Sequence, residues 1–301
     1  NVQIGIGGDD ADGNHSGNTT VNASGALSVT AGGGQQSSAQ IGNGGFGVNG
    51  TLNGSVDVDA GTTINLVGGT GTHTYAMIGH GGISMTGNRG DADDVISVNA
   101  GTDLNMTAGS GGNAFSQIGL GGLSNSTGGL TLLADIDVTA GGNLTMTGGA
   151  GTTDDRFVMI GNGGAQMNST STGDIRVDTR DGTLTMASGG GRLDTSGSDT
   201  SNFTQIGHGG HQVDGAQTGD IVVLADAIDM DAGTRAESYS QIGHGGFDDD
   251  NDQDGALSGD IFVNFDAGAA VGGAGGISMA STSNQSDAYT QIGHGGTGRT
   301  D

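Results

Sequence analysis

The chain has 301 residues, 67 of them glycine, no proline, cysteine or tryptophan, and a formal charge of −26. Absent cysteine excludes disulfide frameworks and thiolate metal sites, and the acidic balance excludes nucleic-acid phosphate as a partner. No apolar run approaches the ~20 residues of a membrane-spanning helix, so membrane insertion is not expected.

All seven basic residues are arginine, which removes the lysine of phosphate loops and Schiff bases. Glu237 is the only glutamate, so Asp supplies nearly all of the acid. Gly, Asp, Asn, Ser and Thr dominate, and they favour turns over helix.

One motif organises the chain. Ile-Gly-x-Gly-Gly begins at Ile4, Ile41, Ile78, Ile118, Ile160, Ile206, Ile242 and Ile292, with spacings of 37, 37, 40, 42, 46, 36 and 50 residues. Periods of this length mean solenoids, propellers or arrays. After the motif comes a first apolar alternation: Val56-x-Val58, Ile96-x-Val98, Ile136-x-Val138, Ile175-x-Val177, Ile221-x-Val223 and Ile261-x-Val263. A second follows at Leu27-x-Val29, Ile64-x-Leu66, Leu104-x-Met106, Leu144-x-Met146, Leu184-x-Met186, Ile228-x-Met230 and Ile277-x-Met279. Period-two alternation reads as a strand with one face buried. Three strands recur while the corners between them vary in length. The pattern predicts an all-β, right-handed parallel β-helix with three strands per coil and about seven coils. Residues 1–301 form one solenoid of seven repeats of 36–50 residues.

With the motif Ile pointing inward, the residue two further on points inward too. That slot holds Ile6, Asn43, His80, Leu120, Asn162, His208, His244 and His294. Consecutive histidines read either as a metal-binding ladder or as neutral imidazoles bonded to one another or to backbone. The residue before the Ile is Gln3, Gln40, Gln117, Gln205, Gln241 or Gln291, with Met77 and Met159 in the other coils. These side chains point outward and can bond up and down a Gln ladder. Three residues before the Ile stand Tyr75, Phe115, Phe157, Phe203, Tyr239 and Tyr289. They lie across the adjacent glycines or under a corner loop, or they form an outward strip that stacks sugars or another rod.

Asp250-x-Asp252-x-Asp254-Gly255 has the form of a calcium loop, in which alternate carboxylates converge on a hard cation and Gly makes the turn. Ile261 stands where the bidentate Glu of such a loop belongs. Asp9, Asp10 and Asp12, and Asp91, Asp93 and Asp94, occupy the same corner in other coils and make a poorer case. Arg89-Gly90-Asp91 matches the tripeptide that integrins read, a three-letter match common by chance.

The runs Gly173-Asp-Ile-Arg-Val-Asp, Gly182-Thr-Leu-Thr-Met, Asn143-Leu-Thr-Met-Thr-Gly-Gly and Tyr289-Thr-Gln-Ile-Gly-His-Gly-Gly resemble the filamentous-haemagglutinin-like large exoproteins of bacteria. The resemblance spans the whole chain and carries no active site. It implies secretion to the cell surface and a part in adhesion or an extracellular matrix. The expected function is therefore a structural rod or adhesin, acidic and extracellular, not an enzyme. The alternative is a polysaccharide-binding or lyase-like β-helix, which needs a groove holding an Arg among Asp residues. The first and last motif strands carry no helix, proline or charge run to blunt them. They predict that the rod continues in a longer chain or stacks end to end with copies of itself. Carbohydrate or a host surface is the expected outside partner.

Overall fold

The structure is a computed structural model. It describes residues 1–149, 155–189, 201–234, 237–247, 255–266, 269–270, 275–281 and 287–296, the side chains of 124–128, 180, 265–266 and 269–270 excepted. Among the described residues there is no helix, and the strands build a parallel β-solenoid of about six turns.

The eight motif copies form one eight-stranded sheet in chain order, from Val2–Ile4 through Ser38–Ile41, Tyr75–Ile78, Phe115–Ile118, Val158–Ile160, Phe203–Ile206 and Tyr239–Ile242 to Tyr289–Ile292. Every pairing is parallel and keeps motif Ile opposite motif Ile. The two alternations stack in the same way. Val58 lies between Val21 and Val98, and Leu66 between Val29 and Met106. The one antiparallel pairing among the described residues joins Phe265–Asp266 to Ala269–Ala270, in the longest connection between the alternations.

Several strands escape the apolar pattern. Thr19–Ala23 supplies the first alternation of the first coil, with Thr19 where later coils carry Val or Ile. A short strand also follows the motif itself, as at Gly7–Asp9, Gly44–Phe46 and Gly81–Ile83.

Gly42 and Gly44 show why the motif is built of glycine. Their φ angles are 129° and 140°, a region closed to other residues. A Cβ there would sit 2.2 and 2.0 Å from the carbonyl oxygens of Gly79 and Gly81 in the next coil. The motif is thus a place where two backbones press together at every step.

Inside the coil the motif isoleucines meet both alternations in one continuous apolar core that includes Ile78, Val98, Leu104 and Ile136. A second core lies on the other side of the motif sheet. There the residue after the Gly-Gly pair, Phe46, Ile83, Leu123, Ala165 or Phe247, packs against the ring column.

The corners explain the preference for Asp. The N–H groups of Asp174, Asp220 and Asp260 each donate to the carboxylate of the preceding coil's Asp, at 2.8 Å, starting from Asp135. Asp103 and Asn143 do the same for Asn143 and Thr183 at another corner. A one-carbon stem spans the ~4.8 Å between strands; a glutamate would overshoot.

Candidate functional site: interior ladders and an acidic flank

The histidine slot is a hydrogen-bond relay between coils. His208 Nδ1 accepts from the Asn162 N–H at 3.0 Å, His244 from His208 at 3.0 Å, and His294 from His244 at 3.1 Å. His80 accepts from Asn43 in the same way at 2.9 Å. Each Nε2 meets a backbone carbonyl on the far side of the coil: Gly54 for His80, Gly173 for His208, Gly219 for His244 and Gly259 for His294. Since Nδ1 must accept and Nε2 must donate, these contacts require the neutral Nε2–H tautomer. The rings of His208, His244 and His294 stack at 4.8 and 4.7 Å.

Burial disfavours the imidazolium. It holds His208 down to about 4, against the bond to the Gly173 carbonyl. Burial first, and then the neighbouring His208, holds His244 down to about 3. His80 is lowered for the same first reason. Both ring nitrogens are spent on the backbone, so the metal reading of this ladder has no lone pair to use. Among the described residues no group of three or more His, Asp or Glu side chains converges as a metal site.

The glutamines do not bond one another. Gln205 Nε2 reaches its own coil's His208 carbonyl at 3.2 Å, then the next coil's Gly243 and Gly245 carbonyls at 3.0 and 2.9 Å. Gln241 repeats the set on His244, Gly293 and Gly295 at 3.1, 3.2 and 2.8 Å. Gln291 bonds the His294 carbonyl at 3.0 Å. The amide therefore ties down the glycine carbonyls that a side-chain-free backbone leaves open.

The ring column is also interior, which corrects its reading as a surface strip. Tyr75, Phe115, Phe157, Phe203 and Tyr239 are at most 1% exposed, and Tyr289 at the end of the column is half-buried. The six rings stack face to face with centroids 4.7–5.1 Å apart and planes within 6°. Tyr75 donates its hydroxyl to Gln40 and Tyr289 to Gln241. Burial raises the Tyr75 and Tyr239 phenols. No sugar can reach the faces of Phe115, Phe157 and Phe203, each covered by rings on both sides.

Arg89 is buried as well, at 1% exposure, with Nη1 donating to the carbonyls of Gly50, Thr86, Gly87 and Asn88. Burial lowers it to about 10. The Arg-Gly-Asp tripeptide is thus not displayed. Asp250, Asp252 and Asp254, the proposed calcium loop, lie outside the described residues. Asp12 and Asp94 spend carboxylate oxygens on Asn49 and on the Gly54 and Asp91 N–H groups.

One surface feature brings an arginine among aspartates. A groove of about 360 Å³ on the first-alternation face is lined by Asp135, Asp137, Asp174, Arg176 and Asp220, flanked by Val95 and Val222. Arg176 pairs with Asp178 at 2.8 Å. Burial raises the Asp137 carboxyl, Asp178 adds to this, and Arg176 opposes it. Three of these aspartates belong to the corner ladder, so their first task is to hold coils together.

Comparison with known proteins gave no match: no family model, no curated protein and no solved structure is similar to this chain.

Proposed function

We propose that the chain is a structural extracellular β-solenoid of the adhesin or matrix-filament kind. It is wound right-handed with three principal strands per coil, and it works as a stiff acidic spacer rather than as a catalyst. One observation supports the reading. The side chains that usually do chemistry (histidine, glutamine and the aromatic rings) are spent inside the molecule on tying each coil to the next. Such a molecule offers its surroundings a shape, a charge and its corner loops. An antibody raised against the purified chain should label intact cells of the source organism. Labelling that needs lysed cells would overturn the surface assignment.

The groove at Arg176 favours a second reading, a polysaccharide-binding solenoid. On that reading the chain is retained on an immobilised polysaccharide and the Arg176→Ala variant is not. Equal retention of both, or of neither, removes it.

A further inference from the structure

Four Asn-Gly dipeptides occur in the chain, at Asn43, Asn49, Asn53 and Asn162. Such a pair is chemically labile, because no side chain keeps the glycine nitrogen from the amide carbon of the asparagine before it. Three of the four asparagines are pinned. Asn43 Oδ1 accepts the Ile6 N–H at 3.0 Å, and its Nδ2 donates to the Asn53 carbonyl at 3.1 Å. Asn162 is held in the same way by the Leu120 N–H at 3.1 Å and the Ala134 carbonyl at 3.0 Å. Asn49 accepts from Thr86 Oγ1 and donates to Asp12, both at 2.9 Å. In all three pairs the glycine N–H donates to a backbone carbonyl: Gly44 to Ile6, Gly163 to Leu120 and Gly50 to Thr86. A carbonyl oxygen is too weak a base to take that proton.

Asn53 differs on both counts. It is half-buried, and its Oδ1 has no hydrogen-bond partner among the described residues. The Gly54 N–H donates to a carboxylate, Oδ2 of the half-buried Asp94, at 2.9 Å. The backbone around this N–H is fixed. The Asn53 carbonyl accepts from Asn43 Nδ2 and from the Gly17 N–H, each at 3.1 Å, and the Gly54 carbonyl accepts from His80 Nε2. The side-chain amide is thus loose, while the nucleophile and a base for its proton stand in place.

We infer that Asn53 is a self-modification site at which Asp94 acts as the general base. Asp94 takes the Gly54 proton as the Gly54 nitrogen bonds to Asn53 Cγ. The bond from Cγ to Nδ2 then breaks, ammonia leaves with that proton, and a succinimide ring joins the two residues. Water opens the ring at either carbonyl, giving aspartate or the isomer whose backbone runs through the β-carboxyl. Either product adds a carboxylate next to the peptide that Asp94 holds. The isomer also lengthens the backbone of the strand Leu52–Asn53, which pairs with His15–Ser16.

Storage of the purified chain near neutral pH, followed by peptide mapping with mass spectrometry, tests the site. Each conversion exchanges an NH₂ group for OH, and chromatography separates the isomer from aspartate. In the folded chain Asn53 should convert ahead of Asn43, Asn49 and Asn162. In urea all four lose their partners and should convert at similar rates. Asp94→Asn keeps an oxygen that accepts the Gly54 N–H but is no base. It should slow Asn53 about 10²-fold in the folded chain and leave its rate in urea unchanged. Circular dichroism checks the fold of that variant, and the comparison of the four wild-type sites needs no variant. A folded chain in which Asn53 lasts as long as any of the other three overturns the proposal. So does an Asn53 rate that Asp94→Asn leaves unchanged while the β spectrum is intact.

Discussion

Histidine and asparagine alternate in one interior slot because both offer an acceptor and a donor at the reach the coil needs. Asn162 Oδ1 accepts the Leu120 N–H at 3.1 Å, as Nδ1 does in the histidine coils, while its amide gives to the carbonyls of Ala134 and Thr172. The two residues differ in acid. A proton on Nδ1 would set a donor against the donor N–H of the preceding coil. The folded His208 and His244 lie near 4 and 3, below the ordinary value of 6.5, so the unfolded chain binds more protons across that window. Stability should be full above pH ~6.5 and fall as the pH drops towards ~4, by at most about 1.4 kcal/mol per pH unit for each such histidine. Replacing His208 and His244 together by Asn should leave the fold intact at pH 7 and flatten this decline. Denaturant midpoints measured across the range decide it; an unchanged slope would mean that the ladder is not what acid attacks.

At the scale of the strand, alternation tells which side a residue faces but not what lies on that side. The motif isoleucines, the slot residue and both apolar alternations were legible because period two and period ~40 coincide in them. The glutamines and rings face away from the motif isoleucines, and that side of the sheet is also dry. The strand after the motif folds the next residue over them. The signal was present in the sequence, since Phe46, Ile83, Leu123, Ala165 and Phe247 recur just after the Gly-Gly pair. It was hard to see because Asp9 and His211 interrupt the column and because glycines, which conceal strand periodicity, precede it. Thr19 hid the first strand of its kind for a similar reason. The ring column carries its own prediction. Phe157 stacks on Phe115 and Phe203 at 4.7 and 4.8 Å. Phe157→Ala should cost about 3–5 kcal/mol, whereas Phe157→Tyr should fold. A thermal melt in which Phe157→Ala matches the wild type would show that the column adds nothing to stability.

For the whole molecule, stability is a sum of nearly identical steps, each joining neighbours only. Part of the charge of −26 serves those steps: corner carboxylates accept backbone N–H groups, Asp59 and Asp12 accept from Asn99 and Asn49, and buried Asp155 bonds His211. The remaining carboxylates lie on the flanks, where like charges repel one another. Neither the expected adhesive partner nor the groove at Arg176 could be read from the repeat, because a repeat encodes what coils do to each other and says little about what the flank does to its surroundings.

The ring column has an optical consequence. The chain has no tryptophan and only three tyrosines, and Tyr75, Tyr239 and Tyr289 all belong to that one stack, with Phe115, Phe157 and Phe203 between the first two. Light absorbed by the phenylalanines has tyrosine acceptors within a few ring spacings. Ultraviolet emission from the intact molecule is therefore tyrosine emission from a single line of rings, and it reports the order of that line without any label.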